Sequence, residues 1–432
     1  MQYLQVALYV GESCHLIVYK LAKMGKHMKL RNQTCHHCLA SKNQNSIPAS
    51  GYLCHFCHHI SSLLLITTLL LAGCGSGGSS SPKAAGPTAI INTKPVATGS
   101  CNTVRQSKQA PVFVGQLNAT DLESPTMLTY SLLNPDGSDA GQTLTTSRGG
   151  TVTITDTTSG HFTYQANTEP GDNRGRDTFK YQVSDPDNAV ASATEIIIVN
   201  QTIMPLGNSI THGADCIGGA RANGRCIPDG YNADQERAGY RQPLYEILVD
   251  SGYTFDFVGS RQAGLIAPSP LDDDDHEGHG GWTAFDIAWG REMDGSDGVF
   301  NWLEQNPADI ILLHAGTNEL SNTSENNIAE ILDEIDRWED SANGNPVTVI
   351  LARIIDWAPK NPEVDIFNNA VEAMVKGRTN DNIIIVDQQT DAGLDYTIGA
   401  DMSDWLHPNS SGYSKMAEVW FNALARLLDK CP

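Results

Sequence analysis

A serine, an aspartate and a histidine in two distant stretches of the sequence could together carry out acyl transfer. Ser209 lies in PLGNSITHG after an apolar run, and Asp404 and His407 lie in DWLHPNSSGY, before an amphipathic stretch. In such a set the serine oxygen attacks a carbonyl carbon, and the histidine takes and returns the proton. The aspartate orients the histidine through its other ring nitrogen. A serine in a turn also has a purely structural interpretation, so the assignment depends on the remaining segments.

Two further segments could stabilise the negative charge that forms on the attacked carbonyl oxygen. HEGHGGWTA contains Gly281 in a glycine-rich turn, and HAGTNEL contains Asn318 after an apolar run. The backbone N–H groups of Ser209 and Gly281 and the side-chain amide of Asn318 are the three predicted oxyanion donors. Glycine permits close backbone approach, and asparagine donates a hydrogen bond without carrying charge.

The elements that must position these residues follow an alternating pattern after residue 200. Apolar runs such as DIILLHAG, VTVILARII and NIIIVDQ alternate with amphipathic stretches such as GYRQPLYEILVDSG and NIAEILDEIDRWED. This alternation predicts βαβ units and a parallel sheet covered by helices on both faces. Ligands of such α/β domains bind beyond the carboxyl ends of the strands, which is where Ser209 falls.

The segments that carry chemistry resemble, in order, the sequence blocks of the SGNH (GDSL-type) hydrolase family over about residues 202–430. The matching residues are GNSIT, Gly281, Gly316 to Asn318, and Asp404 with His407. Asn208 stands where aspartate is common in that family.

The resemblance implies a flavodoxin-like three-layer domain and a serine esterase that needs no cofactor. The text between the blocks, including GYRQPLYEIL and LHPNSSGYSKMAEVW, is similar to carbohydrate esterase family 3. That finer resemblance implies acetyl esters of a polysaccharide such as xylan as the substrate.

Two alternative functions stay open. A lipase-like or thioesterase-like member of the same superfamily would act on longer acyl chains and would need a deep apolar channel rather than an open site. A non-catalytic surface protein would bind glycans through an N-terminal module, although the intact Ser209, Asp404 and His407 argue against lost activity. The excess of 50 acidic over 28 basic residues, a formal charge of −22, argues against nucleic acid or an anionic membrane surface as a partner.

Residues 88–200 are predicted to form an all-β sandwich, because short runs rich in Thr, Val, Tyr and Phe are separated by turn residues. The wording of GHFTYQAN and GRDTFKYQVSDPDNAVASAT resembles the cadherin-like repeats of bacterial surface proteins. Asp121, Asp185 and Asp187 could bind calcium there or could simply form turns. The hydrolase domain is expected over residues 201–432.

An apolar run from Leu63 to Leu71 precedes LAGC and resembles the lipobox of bacterial lipoprotein signal peptides. By that resemblance Cys74 is the lipidated first residue of an exported protein anchored at the cell surface or periplasmic face. Residues 1–73 are then an upstream segment plus signal peptide, from a start codon chosen too early, since signal peptides have about 15–30 residues. The Gly/Ser-rich residues 74–87 are predicted to be a flexible tether.

The cysteines and histidines allow several other interpretations. The Cys35 to Cys57 spacing fits a four-thiolate zinc site, but the second pair abuts the signal sequence, so no metal is expected. Cys216 and Cys226 are predicted to form a disulfide, with two free buried thiols as the alternative, and a pairing of Cys101 with Cys431 is conceivable by elimination only. A solvated charge run with loop histidines is the interpretation of Asp272 to Asp275, His276, Glu277 and His279. His314 lies inside an apolar strand and is interpreted as a core histidine, or one that supports the site from behind, rather than as a catalytic base.

Overall fold

The computed structural model describes residues 3–10, 13–24, 27–34, 91–104, 112–167, 174–227, 229–265, 271–291, 293, 295–320 and 324–432. The predictions for Cys74, for the tether and for the Cys35 to Cys57 pattern lie outside these residues. Two compact units are distinguished, Met1–Ala85 and Gly86–Pro432. The first contains an antiparallel sheet of β1 (Tyr3–Val10), β2 (Ser13–Met24) and β3 (His27–Thr34). Over the described ranges, no helix has the length and apolar character to cross a membrane.

The second unit begins with a β-sandwich, as its Thr- and Val-rich runs predict. Its main sheets have the strand orders β10-β11-β12-β6 and β5-β14-β13-β8-β9, and β4 pairs with β7. The strands are β4 (Val96–Thr98), β5 (Cys101–Val104), β6 (Val112–Gln116), β7 (Asn118–Thr120), β8 (Thr129–Leu133), β9 (Asp139–Gly141), β10 (Thr143–Thr145), β11 (Thr151–Asp156), β12 (His161–Gln165), β13 (Gly175–Ser184) and β14 (Val190–Val199).

Buried and exposed side chains alternate along the strands, and the buried ones pack between the two main sheets. In β13 the side chains of Phe179, Tyr181 and Val183 are buried, and Phe162 from the opposite sheet meets Phe179 edge-on at 5.3 Å between ring centroids. Side chains two residues apart point to the same face of a strand, so this face forms the shared core. The predicted all-β sandwich is confirmed.

Two of the three acidic residues considered as calcium ligands, Asp121 and Asp185, accept hydrogen bonds within turns. Asp121 accepts a hydrogen bond from the backbone N–H of Ser124 at 2.6 Å, and Asp185 accepts one from the N–H of Asp187 at 2.9 Å. Aspartate commonly binds its own backbone a few residues on, which organises a turn without any ion. These contacts correspond to the turn-forming role among the two that the sequence allowed.

The C-terminal part is a doubly wound α/β domain. Five of its parallel strands lie in the order β16-β15-β19-β20-β21, and β18 pairs parallel with the end of β15, with β17 antiparallel to β18. Numbered along the chain without β17 and β18, these five strands have the 2-1-3-4-5 order of flavodoxin-like sheets, which confirms the predicted fold. The strands are β15 (Gln201–Gly207), β16 (Phe255–Phe257), β17 (Arg261–Gln262), β18 (Asp275–Gly278), β19 (Ile310–His314), β20 (Thr348–Arg353) and β21 (Ile383–Asp387).

Helices cover both faces of this sheet. The α-helices are α1 (Ser209–His212), α2 (Arg241–Asp250), α3 (Ala284–Trp289), α4 (Val299–Gln305), α5 (Glu325–Glu339), α6 (Pro362–Val375) and α7 (Ser410–Leu424). In β19, Ile311 and Leu313 pack under α3 to α6, whereas Ile310 and Leu312 pack under α2 and α7. A strand buried on both sides explains why this run is apolar throughout rather than alternating.

The sandwich and the α/β domain are joined directly and by a disulfide. β14 ends at Val199 and β15 begins at Gln201. Cys101 forms a disulfide with Cys431 across 330 residues, so the pairing expected only by elimination is present. Arg174 of the sandwich also forms an ion pair with Asp309 at 2.7 Å. The unit Gly86–Pro432 therefore has covalent and ionic ties between its two cores.

Candidate active site

Ser209 lies where the central strand β15 turns into the short helix α1. At Gly207, the last residue of β15, an added Cβ would lie 2.3 Å from the carbonyl oxygen of His314, so only glycine fits. Asn208 caps the helix, because its side-chain oxygen accepts from the N–H of Ile210 at 3.1 Å. The following residue, Ser209, is half-buried at the carboxyl edge of the sheet, as the sequence predicted.

His407 and Asp404 come to Ser209 from the segment that precedes α7. His407 Nε2 lies 2.9 Å from Ser209 Oγ, and His407 Nδ1 lies 3.0 Å from Asp404 Oδ2. Asp404 Oδ1 accepts from the backbone N–H groups of Leu406 at 2.8 Å and His407 at 2.7 Å. The carboxylate thus holds both the backbone and the ring of the histidine in one orientation.

Electrostatics keep the aspartate ionised at this place. Asp404 is fully buried, and burial by itself raises the pKa of its carboxyl group. Hydrogen bonding and charge from His407, with the two backbone N–H donors, outweigh burial and hold the pKa below its ordinary value. An ionised carboxylate on Nδ1 leaves Nε2 as the acceptor for the serine proton.

The segment carrying Gly281 follows β18, beside β15. The N–H of His279 donates to the carbonyl of Gly207 at 2.8 Å, which fixes the start of this turn next to the serine strand. Gly281 has a φ of +76°, a left-handed conformation that favours glycine, and its position is exposed. The predicted glycine-rich turn before a helix is confirmed, since α3 begins at Ala284.

Asn318 follows β19, the neighbour of β15 on its other side, and is half-buried. Its side-chain amide donates to the carbonyl oxygen of Trp282 at 2.7 Å. A primary amide has two N–H hydrogens, so this bond engages one of them and fixes the plane of the group. The three strand ends after β18, β15 and β19 therefore bring Gly281, Ser209 and Asn318 to one edge of the sheet.

Sequence reasoning missed Tyr231, which lies in the connection between α1 and α2. Its hydroxyl donates to Asp404 Oδ2 at 3.0 Å, and its ring meets the ring of His407 edge-on with centroids 5.2 Å apart. No local motif marks this tyrosine. The one available signal is the predicted Cys216–Cys226 disulfide, which encloses part of the same connection and is present in the structure.

The solvated charge run with loop histidines, expected for Asp272 to Asp275, His276, Glu277 and His279, is wrong for most of this group. Asp273, His276 and Glu277 are buried, and His276 and Glu277 belong to β18 rather than to a loop. The carboxylates tolerate burial because Asp273 accepts from the N–H of Phe257 at 2.7 Å and Glu277 accepts from the N–H of Ser260 at 2.6 Å. Local charge density could not reveal these distant backbone partners.

His279 is also buried rather than solvated. Its Nε2 lies 2.6 Å from Glu277, and its ring lies between Trp282 at 4.2 Å and Trp302 at 4.5 Å. His314 is fully buried, accepts from the N–H of Ile355 at 3.3 Å, and has its pKa lowered by burial to about 4. The prediction that His314 is a core histidine rather than a catalytic base is confirmed.

One group of possible metal ligands is brought together within the part of the chain that the structure describes. It consists of Cys216, Cys226 and Asp404, whose ligand atoms lie within 4.8 Å of one another. The two sulfur atoms are bonded to each other, so neither is a thiolate that could bind a metal ion. The group is a disulfide packed against the aspartate of the site.

Both domains are similar to known protein families. Residues 92–198 match the bacterial Ig domain family, in agreement with the predicted sandwich. A multidomain esterase of Ruminococcus flavefaciens is 29% identical over 249 residues, which are 51% of this chain and 28% of the relative, so the match spans under a third of that protein.

Solved structures that the chain matches include the Clostridium thermocellum family 3 carbohydrate esterase, with 27% identity and a TM-score of 0.37, covering 53% of this chain and 98% of that one. A carbohydrate esterase family 3 structure from Talaromyces cellulolyticus has 25% identity and a TM-score of 0.40, covering 52% and 97%. Residues 203–420, just over half of the sequence, match the GDSL-like lipase/acylhydrolase model. The chain belongs to the GDSL-like lipase/acylhydrolase family.

Proposed function

We propose that this protein is a serine esterase that removes acetyl groups from a polysaccharide such as xylan through an acyl-enzyme. The observation that carries the proposal is the continuous contact chain from Ser209 through His407 to Asp404, with distances of 2.9 and 3.0 Å. Nucleophile, base and orienting carboxylate within hydrogen-bonding distance are what acyl transfer requires. The multidomain esterase among the relatives agrees with this class of reaction.

In the first half-reaction Ser209 Oγ attacks the acetyl carbonyl carbon while His407 Nε2 takes the serine proton. The tetrahedral intermediate collapses, the ester bond to the sugar oxygen breaks, and His407 returns the proton to that oxygen. Water then attacks the acetyl-serine ester with His407 again as base, which releases acetate and restores Ser209. No redox change or cofactor enters this balance.

The negative oxygen of each intermediate needs fixed donors. The backbone N–H groups of Ser209 and Gly281 and the second amide hydrogen of Asn318 are assigned this role. Since the bond from Asn318 to the Trp282 carbonyl already fixes the amide plane, little reorganisation is needed when the charge develops. The space beside Gly281 is open, because an atom at its Cβ position would meet nothing within 4 Å.

An aromatic group beside the triad supports a sugar as the leaving group. Trp405, half-buried and next to Asp404, meets Trp357 edge-on at 4.8 Å, and the guanidinium of Arg225 lies 5.1 Å from its ring centre. Aromatic rings combined with a multiple hydrogen-bond donor suit an amphipathic ligand such as a sugar ring. A long acyl chain would instead need an extended apolar channel.

Purified protein should be assayed on acetylated xylan, on short and long nitrophenyl esters and on a palmitoyl thioester. We expect acetate release from xylan and a preference for the short ester. Ser209→Ala should keep the wild-type melting temperature while losing turnover and labelling by a fluorophosphonate probe. Retained turnover in Ser209→Ala would refute the mechanism, and a preference for palmitoyl substrates would replace the acetyl assignment with a lipase or thioesterase.

We also propose that the protein is exported and held at the membrane through lipidated Cys74. Besides the lipobox-like LAGC, the disulfides Cys101–Cys431 and Cys216–Cys226 support an oxidising compartment. Metabolic labelling with a fatty-acid analogue should mark the wild type, and Cys74→Ser should release the protein from the membrane fraction. An unlabelled wild type in the soluble fraction would contradict the anchor.

A further inference from the structure

We propose that Tyr231 is a positioning residue of the active site, which acts by donating its hydroxyl hydrogen to Asp404, and that the disulfide-closed connection between α1 and α2 exists to hold it there. The inference rests on the proposed function, because it assigns a role within the same acyl-transfer machinery. Tyr231 lies 173 residues from Asp404 in the sequence, so the contact is purely tertiary.

Asp404 Oδ2 receives two donors in this structure. His407 Nδ1 lies 3.0 Å from it and the Tyr231 hydroxyl also lies 3.0 Å from it, whereas Oδ1 is occupied by backbone N–H groups. A carboxylate with donors on both oxygens cannot rotate about its Cβ–Cγ bond without breaking hydrogen bonds. Tyr231 therefore keeps Oδ2 directed at the imidazole, and its edge contact at 5.2 Å restrains the ring itself.

The Tyr231 hydroxyl is protonated at neutral pH and can therefore donate a hydrogen bond. Burial, followed by the negative charge of Asp404, raises the pKa of the Tyr231 phenol to about 12. A protonated phenol shares the negative charge of the carboxylate through its hydrogen bond. The hydrogen bond from the phenol therefore reduces the negative charge that Asp404 presents to the imidazole.

The connection that carries Tyr231 is fastened to the segment that carries Asp404. The N–H of Cys216 donates to Ser403 Oγ at 3.0 Å, and the N–H of Trp405 donates to the carbonyl of Gly224 at 2.7 Å. The Cys216–Cys226 disulfide closes the connection, and its sulfur atoms lie within 4.8 Å of an Asp404 oxygen. These contacts flank Asp404 on both sides along the chain.

Other charged groups also act on Asp404 and Tyr231, and a test must leave these groups unchanged. Asp215 and Tyr413 are the other titratable groups whose charges couple to Asp404, and Arg225 and Arg237 of the connection act on Tyr231. Tyr231→Phe leaves all four in place and retains the ring against His407. The variant therefore removes one hydroxyl hydrogen bond and little else.

Tyr231→Phe should lower kcat by about tenfold with KM near wild type, since hydrogen bonds to charged groups are among the stronger ones. The acid limb of its kcat/KM profile should move to higher pH, because the unshared carboxylate charge favours the protonated imidazole. Tyr253→Phe is the matched control: it removes a tyrosine hydroxyl that donates to the carbonyl of Ala425 at 3.3 Å, outside the site. The control should leave both quantities unchanged.

A measurement independent of turnover separates this inference from the proposed function. In protein labelled with ¹³C-histidine, the ring resonance of His407, identified by its loss in His407→Gln, is followed from pH 4 to 9. Its midpoint should rise in Tyr231→Phe and not in Tyr253→Phe. If the wild type hydrolyses no ester, the proposed function fails while this titration still decides the role of Tyr231.

A second variant tests the role of the Cys216–Cys226 disulfide. Cys216→Ser with Cys226→Ser should shift the His407 midpoint in the same direction, and combining it with Tyr231→Phe should add little, because both act through one contact. An unchanged midpoint in Tyr231→Phe would overturn the inference, even if its activity or melting temperature fell. A fully additive shift in the combined variant would overturn the role given to the disulfide.

Discussion

Acidification should weaken the α/β domain through His314, which ends strand β19 beside the strand that carries the nucleophile. Gly207 pairs with His314 across the sheet, two residues before Ser209. The imidazole is fully buried, and burial lowers its pKa to about 4, so it is neutral in the folded protein. In the unfolded chain it is solvated, with an ordinary pKa of about 6.5.

The direction in which pH changes the free energy of unfolding follows from proton linkage. Between about pH 6.5 and pH 4 the unfolded chain binds a proton at this position that the folded chain does not bind. Stability is therefore fully present above pH 6.5, is lost as the pH falls through this window, and stops changing below about pH 4. With these two pKa values, the loss between pH 7.5 and pH 4.5 is about 2–3 kcal/mol from His314 alone.

The test compares urea unfolding of the wild type and His314→Gln at both pH values. Glutamine has a carbonyl oxygen that can accept from the N–H of Ile355, as the imidazole does at 3.3 Å, but it does not titrate. All seven tryptophans lie between residues 282 and 420, so their fluorescence reports the domain that contains His314. Carboxylates and the other buried histidines titrate in both proteins, and their contributions cancel in the difference.

We expect His314→Gln to be less stable than the wild type at pH 7.5, because its amide packs less well than the ring. The stability difference should move in favour of the variant by about 2–3 kcal/mol at pH 4.5. His161→Gln, at an exposed position of the sandwich, is the control and should show the same difference from wild type at both pH values. Parallel pH dependence of the wild type and His314→Gln would refute the assignment of a buried neutral imidazole.

Three further predictions concern the oxyanion site, the core beneath it and the tie between the domains. Asn318→Ala should lower kcat by about 10²–10³ while KM and melting temperature stay near wild type, and a lowered melting temperature with normal turnover would make Asn318 structural instead. Gly316→Ala should lower the melting temperature, because at a φ of +113° the added Cβ lies 2.2 Å from the buried ring of Phe367; an unchanged melting temperature would contradict this geometry. Cys101→Ser with Cys431→Ser should cost about 2–4 kcal/mol in urea unfolding with ester turnover at 25 °C unchanged, and equal stability would show that the bond adds nothing to the other contacts between the domains.

The sequence by itself predicted the fold, and it supplied the residues that are assigned to the candidate site. Apolar runs buried on both faces, such as Ile310–His314, differ in pattern from the half-buried strands of the sandwich, so the two architectures separate on periodicity alone. Ser209, Gly281, Asn318, Asp404 and His407 were each found at the end of a strand or before a helix. Parallel strands present their carboxyl ends at one edge, which is why residues far apart in sequence could be assigned to one site.

Tertiary structure alone decided the burial of Asp273 and of its neighbours in β18, and the contact of Tyr231 with Asp404. A carboxylate such as Asp273 is buried when a distant N–H group meets it, here that of Phe257, and no nearby sequence feature encodes that partner. Tyr231 has no periodic or motif context, and its significance arises from one hydroxyl placed 3.0 Å from Asp404. Local pattern determines which elements form because burial follows periodicity, whereas hydrogen bonds between irregular segments depend on ångström-scale placement that only the packed chain defines.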